Sequence, residues 1–343
     1  MKKNKSEDST SFWSTASEFL NKHLPDVRRV SDCTIESYRN SLNRYVDYLE
    51  TKKGVKRKLI CFKMFGRDNI KEYMAWMNKT AGLAPKTCNL RLTALHALLE
   101  YASQENTDIT PIYVEADSVK CMKLVRGPIE FFEREAMSAL MSAPDTSKKT
   151  ERRNQMLLVF LYDTAARVSE AINVRLCDLH LEASIPYVTF LGKGSKYRNV
   201  PLMESTVAHL NRYLHEFYVD KKRNSGMPLF YSVTHGEIHN LSVDTPEKML
   251  KRYAETLSGT CLTIPKRVHC HMIRKTRAMH LYQEGIPLPH IQQLLGHEVL
   301  STTSGFYAFA TLETLAKSLE KANPSTANKM WKEKGFAEVL LKL

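Results

Sequence analysis

Residues 164–170 read Thr164-Ala165-Ala166-Arg167-Val168-Ser169-Glu170 and lead on to Leu176 and Asp178. An arginine and a glutamate three residues apart are a weak signal alone, because Arg-x-x-Glu arises often by chance. Three further segments place one or two polar groups in an apolar frame. Gly192-Lys193-Gly194-Ser195-Lys196-Tyr197-Arg198 runs into Val200-Pro201-Leu202. His271-Met272-Ile273-Arg274-Lys275-Thr276 comes next, and Leu295-Gly296-His297 precedes Ser301-Thr302-Thr303 and Phe306-Tyr307-Ala308. All four in this order, from residue 167 to residue 307, make a far stronger signal than any one of them.

Around these segments the periodicity predicts helix over 150–182, a β-hairpin over 185–202 folded at the Gly-Lys-Gly-Ser turn, and helix again from 244 to 322. Pro324 breaks that pattern before a final stretch, 327–343, carrying Trp331, Phe336, Val339 and Leu340. Towards the N-terminus, Ile35, Tyr38, Leu42, Tyr45, Val46 and Leu49 share one helical face over 34–50. Ser31, Asp32 and Thr34 offer oxygens to cap its start. Leu92, Leu95, Leu99 and Ala102 form a second stripe behind Pro85, which suits a first helical turn. Residues 10–105 therefore read as a small helical bundle. Turn formers and low periodicity over 103–128, with Pro111 and Arg126-Gly127-Pro128, mark a linker. The expected organisation is a helical domain at 1–110, a linker at 111–127, a larger domain at 128–322 and a tail at 323–343. The fold class is mainly α, with a small antiparallel β-sheet in the larger domain.

The 343 residues suit two domains at roughly 100–200 residues each, and 43% hydrophobic with 25% charged residues is ordinary globular composition. No apolar run approaches the ~20 residues needed to cross a bilayer. The start, Met1-Lys2-Lys3-Asn4-Lys5, has no apolar stretch behind it and is not a secretory signal. The seven cysteines are scattered with no Cys-x-x-Cys pair and read as reduced thiols. A transmembrane, secreted or disulfide-built protein is excluded, and a cytoplasmic, nucleoid-associated one expected. The formal net charge is +13, with excess base both in residues 1–110 and in the remainder. A polyanion touching both halves is the natural partner.

The four segments closely resemble the tyrosine recombinase (phage integrase) family, and residues 1–110 resemble its core-binding, SAM-like domain. The resemblance implies an enzyme that cuts and rejoins double-stranded DNA through a 3′-phosphotyrosine and a Holliday junction, with no metal and no cofactor. It implies a two-lobed DNA clamp, and a simple type with no arm-binding domain ahead of the core-binding one. By resemblance Arg167 and Arg274 hold the scissile phosphate, where permanently charged, bidentate guanidiniums suit the developing negative charge better than lysines. The bland readings are a salt bridge from Arg167 to Glu170 and a surface Arg274. Tyr307 is the implied nucleophile. Its phenolate lies about three pK units from neutral and costs roughly 4 kcal/mol without a base. His271 is the implied proton acceptor. His297 is the implied hydrogen-bond donor to the phosphate, with a structural histidine as the alternative. Lys193 matches the hairpin lysine that protonates the leaving 5′-oxygen, with Lys196 as competitor for that role or as a phosphate contact. Glu170 matches a supporting acid. Two departures are visible: Lys275 stands where many members have a second histidine, and the interval from His297 to Tyr307 is one residue longer than in the commonest members.

Lys86, Thr87, Asn89 and Arg91, at the start of the second N-terminal helix, are candidates for groove or phosphate contacts, against a merely solvated helix start. Proteins of the family work as a tetramer on two DNA sites, so the tail either docks on a neighbouring subunit or folds back on its own domain. An accessory DNA-bending protein is a further conceivable partner. His269-Cys270-His271, with His280 and His290, lacks metal-ligand spacing, and neither Ser301 nor Ser304 sits in a Gly-x-Ser-x-Gly elbow. Two other functions share part of the pattern: a DNA-binding architectural factor without catalysis, and a type IB topoisomerase.

Overall fold

The computed structural model describes residues 3–124, 129–192, 196–218 and 226–296, with side chains from residue 11 onward. The chain divides into two compact units, 1–127 and 128–343.

In the first unit, helix α1 (Lys3–Glu18) continues as a π-helical segment, Phe19–Val27. Helix α2 (Asp32–Lys53) buries Leu42, Tyr45, Val46 and Leu49, the stripe expected from its spacing. Ser31 occupies its N-cap and its carbonyl accepts Thr34 N at 2.8 Å, but its side chain bonds no backbone amide there. Its hydroxyl pairs instead with Thr34 Oγ1 at 3.0 Å. Helices α3 (Arg67–Ala75) and α4 (Pro85–Glu105) follow, with Pro85 in the first turn of α4, where a missing N–H costs nothing. The core is strongly aromatic: Tyr45, Phe65 and Tyr73 are fully buried, with ring centroids 4.9 Å apart for Tyr45–Phe65 and Tyr45–Tyr73. The Tyr45 hydroxyl donates to Met64 O at 2.6 Å, so its polar end is satisfied inside that core.

The segment expected to be a linker is largely folded onto this bundle. A 3₁₀ turn, Thr107–Ile109, leads into helix α5 (Thr110–Asp117), which packs on α4. Asn106 Oδ1 accepts from Asp108 N at 2.9 Å and starts the turn, and Pro111 sits in the first turn of α5 rather than breaking a helix. Ile109, Ala116 and Val119 are buried. Beyond them Asn89 grips the Met122 backbone at both ends, Nδ2 to O at 2.9 Å and N to Oδ1 at 2.8 Å.

The second unit opens with α6 (Arg134–Ser142), α7 (Lys149–Thr164) and the short α8 (Val168–Ile172). Strands β1 (Leu179–His180), β2 (Tyr187–Leu191) and β3 (Tyr197–Pro201) form an antiparallel sheet in sequence order, with Val188 opposite Val200 and Phe190 opposite Arg198. Val188, Phe190 and Val200 are buried, which is the one-sided alternation of a sheet packed on a core. Helix α9 (Glu204–Tyr218), a hairpin of β4 (Tyr231–Thr234) and β5 (Glu237–Asn240), and helices α10 (Asp244–Leu257), α11 (Cys270–Gln283) and α12 (Leu288–Leu295) complete the described part. Helix α7 runs against α9 and α11 and buries Leu157, Leu158, Phe160 and Leu161. The mainly helical fold with small antiparallel sheets is as expected, but α7 and α8 are interrupted where one continuous helical stretch was expected. No helix among the described residues is long and apolar enough to cross a membrane.

Candidate active site

Three of the four signature segments meet around one carboxylate. Arg167 caps α8, and Glu170 in its first turn accepts the Arg167 backbone N–H at 2.8 Å. The same carboxylate takes Arg167 Nη1 at 2.7 Å and both prongs of Arg198, Nη1 at 2.8 Å and Nη2 at 2.7 Å. Its side chain is only 5% exposed. Burial alone would raise the carboxyl, but the Arg198 fork and the Arg167 amide and guanidinium hold it down at about 2. Glu170 is therefore a permanent anion with two cationic partners. The expected Arg167–Glu170 ion pair forms, yet it uses one guanidinium nitrogen. Arg167 Nε and Nη2 have no protein partner among the described residues, and its side chain is 37% exposed. It borders an open cleft of about 720 Å³ shared with Glu170, Phe190 and Tyr197.

Arg274 is held differently. It lies on α11, 2% exposed, and donates from Nη1 to Ala165 O at 2.8 Å and from Nη2 to Leu295 O. It is thus no surface arginine. Ala165 supplies its carbonyl from a left-handed conformation, φ 48°, at the end of α7. A buried non-glycine residue held there costs of order 1–3 kcal/mol, and what it achieves is an acceptor aimed at Arg274. Leu295, at the other side, ends α12. Burial and the nearby Arg167 charge push Arg274 down to about 9, still cationic at neutral pH.

His271 is one helical turn before Arg274. Loss of hydration at the ring, then the charges of Arg274, Lys275, His269 and Arg167, push its imidazole down to about 4. The residue as a whole is exposed, so the cationic neighbours act beside the loss of hydration at the ring. The ring is neutral near pH 7 and able to accept a proton. The neighbouring His269 is structural, because its Nδ1 accepts from Met272 N at 3.2 Å and caps α11.

These features match a known family over most of the chain. Residues 130–313 match the phage integrase family, and residues 19–109 match its N-terminal SAM-like domain. The chain belongs to the phage integrase family. Among its integrase-family relatives, a tyrosine recombinase XerC of Pelotomaculum thermopropionicum is 31% identical over 310 residues, covering 88% of this chain and 95% of the relative. A tyrosine recombinase XerC of Staphylococcus epidermidis is 28% identical over 298 residues, 87% of this chain and 93% of that one. In fold, the chain resembles a XerH site-specific recombinase bound to a palindromic difH substrate, with a TM-score of 0.65 at 20% identity over 92% of this chain and 89% of that one. It likewise resembles the Tn1549 transposon integrase in complex with a circular intermediate DNA, with a TM-score of 0.65 at 18% identity over 89% and 99%.

Of the integrase signature residues, Arg167, Glu170, His271 and Arg274 come together, close enough for their charges to shift one another. Lys196 is exposed, and its carbonyl accepts Gly192 N at 2.7 Å to close the hairpin. Lys193, His297, Tyr307 and the tail from 323 lie outside the described residues. Among the described residues no group of three or more His, Cys, Asp or Glu could hold a metal ion.

The N-terminal candidates divide. Lys86 is exposed at the start of α4, and Thr87 is half-buried. Asn89 is corrected: both ends of its carboxamide are spent on Met122, so it has no free edge to offer a base. Arg91 is half-buried, with Nη1 3.7 Å from Met77 Sδ.

Arg198 was missed. It stood in the quoted hairpin segment, and its signal was its register: 198 falls in line with Val200 on the inward face of β3. A charge at an inward strand position requires a buried counter-ion, and Glu170 was available to supply it.

Proposed function

We propose that this chain is a site-specific DNA recombinase that cuts and rejoins duplex DNA with Tyr307 as nucleophile. The observation that carries the reading is the cluster of Arg167 and Arg274 beside a histidine that loss of hydration and the surrounding positive charge keep neutral. Two fixed guanidiniums suit a phosphodiester whose non-bridging oxygens gain negative charge, and a neutral imidazole suits a phenol that must lose its proton. The Tyr307 oxygen attacks the scissile phosphorus while its proton passes to His271. The 5′-oxygen leaves with a proton from Lys193, giving a 3′-phosphotyrosine and a free 5′-hydroxyl. Arg167, Arg274 and His297 hold the phosphate oxygens, and Glu170 orients Arg167. Attack by a 5′-hydroxyl from a partner duplex reverses the step and exchanges strands through a Holliday junction. The bond energy stays in the adduct, so the chemistry balances without a nucleotide or a metal.

On this reading residues 1–110 are the core-binding domain and 128–322 the catalytic domain, two basic lobes that clamp the duplex. Lys86, Thr87, Arg91 and Lys196 remain the phosphate contacts. Four chains synapse two sites, with the tail at 323–343 engaging a neighbouring subunit, in the cytoplasm and on the nucleoid. The net charge of +13 supports a DNA partner, with binding that weakens steeply as salt rises.

The test is covalent trapping in cells. The wild type and Tyr307→Phe are expressed, lysed in strong detergent, and the protein-bound DNA is sequenced. The expected result is a 3′-linked adduct at discrete sequences for the wild type and none for the variant. Adducts without sequence preference would instead indicate a topoisomerase. No adduct from either chain, with DNA retained by both under native conditions, would leave a binding factor.

A further inference from the structure

The Arg198 side chain touches the supports of both Arg167 and Arg274. Its fork takes both oxygens of Glu170, the carboxylate that orients Arg167. Its stem lies against Gly296, where an added Cβ would come within 2.9 Å of Arg198 Cδ. Gly296 is also left-handed, φ 59°, and closes α12 immediately after Leu295, whose carbonyl accepts Arg274. Glycine is required there twice over, by the backbone conformation and by the arginine that fills its side-chain space. The Arg198 guanidinium stacks 4.9 Å from the Phe190 ring centroid on β2, and its side chain is only 13% exposed. The fork, the ring and the glycine together restrict the side chain.

Charge explains why the chain keeps such a group. Glu170 is a buried anion directly bonded to Arg167. Left as a pair, the two would cancel, and Arg167 would present little field to a phosphate. The Arg198 fork offsets the Glu170 charge and so leaves more of the Arg167 charge for the site.

We propose that Arg198 is a positioning residue for the phosphate clamp, one that neutralises and holds Glu170 and props the Gly296 turn behind Arg274 without touching DNA. The proposal rests on the recombinase reading above. It gives Arg198 an electrostatic role, whereas a plain staple between hairpin and helix would only hold the fold.

The experiment compares cleavage rates on two substrates. Both are nicked duplexes carrying the site recovered by trapping with the wild type. One has an ordinary scissile phosphodiester, the other a neutral methylphosphonate at that position. Arg198→Gln is expected to cleave the phosphodiester on the order of 10-fold to 100-fold more slowly, short of the 10²–10³ of a direct donor. On the methylphosphonate, where there is less charge to stabilise, most of that loss should vanish. Gly296→Ala, which pushes the stem aside, should show the same selective pattern more weakly. If Arg198→Gln melts early, Arg198→Lys is measured on the same pair, and it should lose less because the charge remains. Equal loss on both substrates from whichever variant folds, or no loss on either, overturns the proposal. A wild type that cleaves neither duplex, or a Tyr307→Phe that cleaves both, would defeat the recombinase reading itself, a separate outcome.

Discussion

The two units of this chain solve burial in opposite ways. Among the described residues, the core of the N-terminal unit buries no charged side chain and is rich in tyrosine and phenylalanine rings. The second unit buries Asp163, Glu170, Arg274 and His280 within its apolar core. Buried charge is costly unless it is paired, and a chain that needs only stability does better without it. The N-terminal unit holds a shape; the second holds a set of charges in fixed positions.

That contrast can be broken most directly at Glu170. Removing it as Glu170→Ala strands the buried Arg198 charge and should cost about 3–5 kcal/mol, the usual penalty for an orphaned partner. Urea unfolding of the variant measures it. A loss under about 1 kcal/mol would mean that solvent already screens the pair. In the N-terminal unit the corresponding probe is Tyr45→Phe, which removes the bond to Met64 O and keeps the ring contacts. The expected loss is about 1 kcal/mol, with the Met64 carbonyl left unpaired.

The smallest effect is in the pH dependence. The folded pKa of His271 is depressed, from 6.5 to about 4, so the unfolded chain takes up a proton first as pH falls. Stability should therefore be flat above 6.5 and decline from there towards about 4. Glu170, depressed from 4.5 to about 2, adds a second decline below that window. Melting temperatures of His271→Gln across this range should lose the upper slope and keep the lower one. An unchanged upper slope would assign it to another group, such as His280, whose imidazole is also lowered, by burial and the Arg134 charge.

Helical periodicity made α2 and α4 legible, because an apolar stripe such as Leu92, Leu95 and Leu99 needs only local geometry to be read. The alternation of 185–202 made the β2–β3 hairpin legible for the same reason. The β4–β5 hairpin was not legible: Glu237, His239 and Asn240 are exposed, so no apolar alternation marks it. Pro111 misled because proline both breaks helices and starts them, and only the packing of Ile109 and Ala116 tells the two apart.

The sequence by itself determined the helical bundle, the order of the signature segments and the residue types able to hold a phosphate. Each of those follows from local pattern or from the chemistry of a side chain alone. Only the tertiary structure decided that Asn89 serves the bundle, that Ala165 and Leu295 turn their carbonyls to Arg274, and that Arg198 balances Glu170. Those assignments depend on which groups, distant along the chain, share one buried volume. A buried charge or carboxamide takes whatever partner the fold brings to it, and sequence spacing contains no record of that choice.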